Sequence, residues 1–400
     1  MHIASFTTGV AAVALCLLST VTAAPARNSL TDAEIQQQRL QFLSQNYNTT
    51  ANSAMIRNLD SAAIANVQKA LAQKPSSFTG NGAAPNPASW SPTVTTVNGF
   101  SKNLLTDPYA DAADATEISR YQLYAGAAYC FKWHLNYKWN CNERCTNDLT
   151  KGTTLVDHFY KDSTTGYVAY NDAQKTIIIS FRGTLFPLNF FRDLQLYTEK
   201  LTIGVNGAGW GTAAPAAARV HSGFQTTYEV AQARVRSTVS SILAQPARSQ
   251  YKIVVTGHSL GGAVAVLAAL DLLDFVTPSL NNRIELYTYG EPRVGNSVFA
   301  RWVDSLPIKI RRVTALHDLI STVPRREWGT LDYQHHNAEY YIDGDKKARN
   351  CVEPADGGEP SGCLNGEGWP IAKDVVSILT PAWIFWHLNS YGGAVFGPWC

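Results

Sequence analysis

Two hydrophobic periods alternate along residues 96–400. Short apolar runs rich in β-branched residues recur, and between them apolar residues return at the spacing of an α-helix. The helical spacing predicts a helix over 113–130, with Ile118, Tyr121, Tyr124, Ala125, Ala128 and Tyr129 on its face. Strands are predicted at 153–156 and 167–170, then a turn at 171–173 and a central strand at 176–181. The unbroken run Ile177-Ile178-Ile179 in that strand suits burial on both faces. A long helix at 225–243 precedes a strand at 251–256, a buried helix at 262–273, a strand at 284–289, a helix at 297–303 and a strand at 309–314. Residues 333–341 also read as a strand, in which one of the neighbours His335 and His336 should face solvent. Strands alternating with helices predict an α/β fold with a central, mostly parallel sheet flanked by helices.

The pattern ahead of residue 96 differs. Residues 10–18 form an apolar run too short to span a bilayer, followed by small residues up to Ala23. Residues 1–23 are therefore expected to be a signal peptide, which implies an exported, soluble chain. Residues 24–72 suggest two amphipathic helices, and 73–95, rich in Pro, Gly, Ser and Asn, a linker. Residues 24–95 then read as a pro-segment or a permanent N-terminal extension, and 96–400 as the main domain. Asn48 opens an Asn-Thr-Thr glycosylation acceptor.

Composition narrows the function classes. With 45% hydrophobic and 16% charged residues, the 400-residue chain can bury a sizeable core. A net charge of +2 gives no reason to expect a nucleic-acid partner. Beyond the signal, six cysteines remain: Cys130, Cys141, Cys145, Cys351, Cys363 and Cys400. An even number in an exported chain points to disulfides, with the pairing open. No Cys-x-x-Cys pair is present, which argues against a zinc site.

The candidate chemistry centres on Gly257-His258-Ser259-Leu260-Gly261, a G-x-S-x-G sequence between the strand at 251–256 and the helix at 262–273. In that setting the motif forms a nucleophile elbow. The glycines let strand and helix approach closely, and the turn presents Ser259 at the carboxyl end of the sheet. The bland alternative is a strand–helix turn with a capping serine. A serine alcohol is a weak nucleophile and needs a base held by an acid. In this arrangement both follow the serine along the chain. Asp318, just after the strand at 309–314, is the favoured acid over Asp271 and Asp274 on the elbow helix. His335, His336 and His387 are the candidate bases, and chain order favours His387. His258 reads as a structural residue that points away from Ser259. Gly183-Thr184 ends the 176–181 strand and can offer the Thr184 N–H, with that of Leu260, as an oxyanion hole. Such a donor is worth about 2.7–4 kcal/mol of transition-state stabilisation. The apolar stretch that follows, with Phe186, Leu188, Phe190 and Phe191, reads either as a buried turn or as a hinged lid facing lipid.

Together with Val220-His221-Ser222-Gly223-Phe224, Tyr289-Gly290-Glu291-Pro292-Arg293-Val294-Gly295-Asn296 and His387-Leu388-Asn389-Ser390-Tyr391, these motifs resemble the class 3 fungal triacylglycerol lipases from about residue 114 to 400. The resemblance implies an α/β-hydrolase fold with a lid over roughly 186–194 and a triad at Ser259, Asp318 and His387. It also implies oxyanion donors at Thr184 and Leu260, and disulfides Cys130–Cys400, Cys141–Cys145 and Cys351–Cys363. The activity implied is secreted hydrolysis of triacylglycerol esters through an acyl-enzyme, by a monomer in transient contact with an oil or membrane surface and with no cofactor or metal. A feruloyl esterase, a phospholipase A1 or a non-catalytic lipid-binding protein on the same fold are the rival readings. The segment between Asp318 and Pro324 is longer than the family's pattern.

Overall fold

Apolar runs buried on both faces build the centre of the molecule. The computed structural model describes residues 108–400 except 131–138, 162–163, 185–197, 205–212, 277–281, 316–317, 325, 327–331, 344–345, 355, 361–362, 367–386, 389–390, 392–395 and 398–400. The expected signal, the 24–95 segment with Asn48, the lid with Phe186, Leu188, Phe190 and Phe191, and Cys400 all lie outside the described residues. The described residues belong to one unit, Asn86–Cys400.

The strands in chain order are β1 (Thr153–Lys161), β2 (Thr164–Asn171), β3 (Thr176–Phe181), β4 (Thr198–Lys200), β5 (Arg219–His221), β6 (Lys252–His258), β7 (Ile284–Tyr289), β8 (Gly295–Asn296), β9 (Lys309–Ala315), β10 (Tyr333–Gln334), β11 (Glu339–Ile342) and β12 (Ala348–Asn350). The helices are α1 (Ala112–Ala127), α2 (Glu143–Thr146), α3 (Ser222–Leu243), α4 (Leu260–Phe275), α5 (Ser297–Asp304) and α6 (Cys363–Gly366). Eight strands form the main sheet in the order β1-β2-β3-β6-β7-β9-β11-β12. β3, β6, β7, β9 and β11 are mutually parallel, and β1, β2 and β12 add antiparallel edges. The expected mostly parallel sheet is therefore present. Every residue of β3 is buried, as its unbroken apolar run requires.

Alternate side chains of these strands serve opposite faces. Ile178, Val254, Tyr287, Tyr289 and Val313 share a buried cluster with Tyr121 and Tyr124 of α1. α3 and α4 pack on each other and on the sheet. α3 buries Phe224, Tyr228, Ala231, Val235, Val239 and Ile242, a helical stripe. α4 is apolar almost all round and is buried from Gly261 to Leu273. Its Asp271 is bound by Arg236 at 2.5 Å, Gln232 at 2.6 Å and the Tyr228 hydroxyl at 2.7 Å. That carboxylate is a structural anchor between α3 and α4.

Two expectations need correction, and one element was not foreseen. The first helix stops at Ala127, short of residue 130. Tyr129 N and Cys130 N bond back three residues, to Gly126 O and Ala127 O, so the last turn tightens and ends. A second sheet, ordered β10-β8-β5-β4, has strands of two or three residues, too short for any hydrophobic period to register. Residues 333–341 are not one strand. β10 pairs with β8 in the small sheet, whereas β11 joins β9 in the main one. The segment between them crosses from sheet to sheet, so alternation fails there and both His335 and His336 are buried. Their partners explain why burial is tolerated. His335 Nε2 lies 2.7 Å from Ser321 O, and His336 Nε2 lies 3.1 Å from Glu291 Oε1.

Candidate active site

β6 ends at His258 and α4 begins at Leu260, so Ser259 alone makes the turn. It does so with φ +59° and ψ −132°, a conformation that a side-chain-bearing residue adopts only under constraint. The surroundings supply that constraint. Ser259 N–H donates to Tyr289 O at 2.9 Å, and Ser259 O accepts from Gly262 N–H at 2.8 Å. A Cβ on Gly257 would lie 2.1 Å from Gly261 O, and one on Gly261 would lie 2.3 Å from Phe181 O. Only glycine fits either place.

Gly183 closes the other side. A Cβ there would lie 2.6 Å from His258 O and 2.7 Å from Ser259 Cβ, so the strand end at β3 is pressed against the elbow. Thr184, half-buried, follows it directly. Leu260 takes the first position of α4, where backbone N–H groups have no partner inside the helix.

Asp318 lies three residues beyond the end of β9, and its N–H donates to Ala315 O at 3.0 Å. Its carboxylate, fully buried, accepts from Ile320 N–H at 2.9 Å and from the Tyr391 hydroxyl. It sits 2.9 and 2.8 Å from His387 Nδ1 through its two oxygens. An ionised carboxylate only accepts, so His387 carries a proton on Nδ1 and its Nε2 is left as an acceptor. His387 Nε2 and Ser259 Oγ are both buried, and neither has a hydrogen-bond partner among the described residues.

Gly290 joins the elbow to the acid–histidine pair. It follows Tyr289, whose carbonyl holds Ser259, and has φ +59°. A Cβ on it would meet Asp318 Oδ2 at 2.7 Å, the Tyr391 hydroxyl at 2.8 Å and His387 Cε1 at 2.9 Å.

The loop beyond Asp318 is pinned by buried charge. Arg293 donates to Glu359 at 2.6 and 2.7 Å, to Pro324 O at 3.0 Å and to Thr322 O. Burial by itself would raise the Glu359 pKa, but Arg293 overrides it and holds the carboxyl well below its usual range. Burial likewise opposes a proton on His336, and the charged, hydrogen-bonded Glu291 reverses the sign, leaving its pKa raised.

The structure thus brings together Ser259, Asp318, His387, Leu260 and the Gly183-Thr184 turn. Asp318 bonds to His387 and not to His335 or His336, whose ring nitrogens go to Ser321 O, Asn337 O and Glu291. Cys141–Cys145 and Cys351–Cys363 are disulfides, and Cys130 is also disulfide-bonded. Tyr391 and Gly290 received no role from sequence. They act through contacts between distant segments that no local pattern announces.

The fold is that of the α/β hydrolases, with a serine at the elbow. Residues 178–328 match the family described as Lipase (class 3). The chain is 34% identical over 235 residues to a "Secreted mono- and diacylglycerol lipase 1" of Fusarium solani, covering 58% of this chain and 64% of that one. A lipase of Rhizomucor miehei is 33% identical over 234 residues, covering 58% and 60%. The chain therefore spans about three fifths of the length of these curated relatives. Among solved structures, lipase II from Rhizopus niveus superposes with a TM-score of 0.60 at 29% identity, over 73% of this chain and 99% of that one. These likenesses bear out the resemblance read from the motifs: residues 178–328 match the class 3 lipase family, and the chain has the α/β-hydrolase fold of the fungal lipases.

Proposed function

We propose that this chain is a serine lipase that hydrolyses ester bonds of acylglycerols. The observation that carries the reading is the Asp318–His387 pair, in which His387 Nε2, like the Oγ of the strained Ser259, is buried and unpartnered among the described residues. Ser259 Oγ attacks the ester carbonyl and His387 Nε2 takes its proton. Asp318 keeps the imidazole in the required tautomer and stabilises the imidazolium. Negative charge on the carbonyl oxygen is received by the N–H groups of Thr184 and Leu260, with the α4 dipole adding to them. His387 then passes its proton to the leaving glycerol oxygen, and the same residue activates the water that frees the fatty acid.

The substrate class rests on the relatives' names and on the apolar character of residues 186–194. That segment we assign to a lid that moves at a lipid surface. We also assign residues 1–23 to export and 24–95 to a pro-segment or extension, and place the mature protein outside the cell as a monomer.

Ser259→Ala tests the chemistry. It should lower kcat on the order of 10⁶-fold and abolish labelling by an organophosphonate. Undiminished turnover in the purified variant would refute the assignment. A panel of mono-, di- and triacylglycerols, a phosphatidylcholine and a feruloyl ester tests the substrate. Preference for either of the last two would replace the lipase reading with one of its rivals.

A further inference from the structure

His258 is fully buried one residue before Ser259, and its two ring nitrogens are both engaged. Nε2 lies 2.9 Å from the backbone oxygen of His387. A carbonyl only accepts, so Nε2 carries the proton. Nδ1 lies 2.7 Å from the Tyr129 hydroxyl. In a neutral imidazole that nitrogen is an acceptor, so Tyr129 O–H donates to it. Burial, reinforced by the neighbouring His387, keeps the His258 pKa well below its ordinary value and the ring neutral. Phe396 stacks on the ring at 3.8 Å between centroids and 10° between planes, and the His387 ring lies 4.3 Å away. The Tyr129 oxygen is also met by the Gly183 backbone N–H. That contact is close enough that a Cβ on Gly183 would lie 2.5 Å from it.

We propose that Tyr129 and His258 are positioning residues. They form a relay of fixed hydrogen-bond direction that ties the Gly183-Thr184 turn to the His387 main chain and holds both in register around Ser259. The inference rests on the hydrolase reading above. The relay runs from Gly183 N–H to Tyr129, from Tyr129 O–H to His258 Nδ1, and from His258 Nε2–H to His387 O. Each link has one possible direction, so the ring cannot flip without losing two bonds. The oxyanion side and the base side come from segments far apart in the sequence, and the relay gives them a common reference. It also puts an uncharged ring, rather than a second cation, beside the imidazolium that forms on His387.

The test uses the full chain and a soluble short-chain ester, so that no interface is involved. His258→Leu should lower kcat on the order of 10²-fold, the cost of a small misplacement of reacting groups, with KM unchanged. His258→Gln carries an amide nitrogen near the place of Nε2 and should restore most of that loss. Tyr129→Phe should lower kcat about fivefold, the equivalent of one ordinary hydrogen bond, again with KM unchanged. A packing role gives the reverse pattern, with Leu tolerated at least as well as Gln and Tyr129→Phe silent. Gln no better than Leu, or parental kcat in Tyr129→Phe, overturns the inference. Where His258→Leu fails to fold, Gln and Tyr129→Phe decide: Gln within tenfold of the parent and a slowed Phe variant support the relay. Full turnover in Ser259→Ala removes the hydrolase reading itself. A dead Ser259→Ala beside an unaffected Tyr129→Phe removes only the relay.

Discussion

Replacing Gly290 by Ala should damage turnover far more than stability. Two separate costs enter. The first is conformational: at φ +59° a side chain costs about 1 kcal/mol. The second is crowding. The new methyl would stand 2.7 Å from Asp318 Oδ2, 2.8 Å from the Tyr391 hydroxyl and 2.9 Å from His387 Cε1. Each must retreat by roughly 0.5–0.7 Å to reach ordinary van der Waals separation. The atoms that retreat are the Asp318 carboxylate, the Tyr391 hydroxyl that donates to it and the His387 ring, the groups to which the proposed mechanism gives the proton transfer. A displacement of that size at the reacting centre should lower kcat by roughly 10- to 100-fold. Gly152 supplies the control. Its φ of +77° imposes the same conformational cost, yet a Cβ there meets nothing within 4 Å. Gly152→Ala should therefore lose about 1 kcal/mol of stability and keep its kcat. Urea unfolding and initial rates on a soluble ester, measured on both variants and the parent, separate the two costs. Gly290→Ala with parental kcat, or equal losses of kcat in both variants, would refute the reasoning.

Three further outcomes follow from the buried charges. Asp318→Asn keeps the shape of the acid but removes the charge that fixes Nδ1–H on His387, and should lower kcat on the order of 10⁴-fold in steady-state assays. Arg293→Ala strips the buried Glu359 carboxylate of its guanidinium and should cost about 3–5 kcal/mol in urea unfolding; a loss below 1 kcal/mol would mean that the pair is not held as the structure has it. The raised pKa of His336 contributes stability that is full below the ordinary value of 6.5. That contribution is lost as the pH rises through the higher folded-state value. Glu291→Gln should flatten this decline when unfolding is followed from slightly acid to alkaline pH, and an unchanged slope counts against the Glu291–His336 pairing.

How far the sequence reached depends on whether a feature is local or assembled. β3 and β7 match their predicted bounds of 176–181 and 284–289 because both are short, mostly apolar and β-rich segments that stop at a polar residue or a glycine. The elbow was legible for a similar reason: strand, glycines, serine and helix are consecutive residues, and steric necessity at 257 and 261 fixes their identity. The four-stranded sheet was not legible, because pairings such as Val220 with Gly295 join strands too short to carry a period. The 333–341 stretch misled for the opposite reason. Its composition looks like one strand, but its ends serve different sheets, and the histidines between them are held by Ser321 O and Glu291 rather than by solvent.

The polar framework of the site belongs to the same assembled class. From sequence, Asp318 was a carboxylate at a strand tip and His258 a ring beside a nucleophile. Only the fold puts Tyr391 on one, Tyr129 on the other, and Gly290 between the elbow and the acid–histidine pair. Each of these groups works by restricting another residue's freedom, through a hydrogen bond of set direction or the absence of a Cβ. Such restriction leaves no period and no composition bias along the chain. The motifs therefore supply the candidate reacting groups, whereas the residues that hold them in place emerge only once segments distant in sequence meet around Ser259.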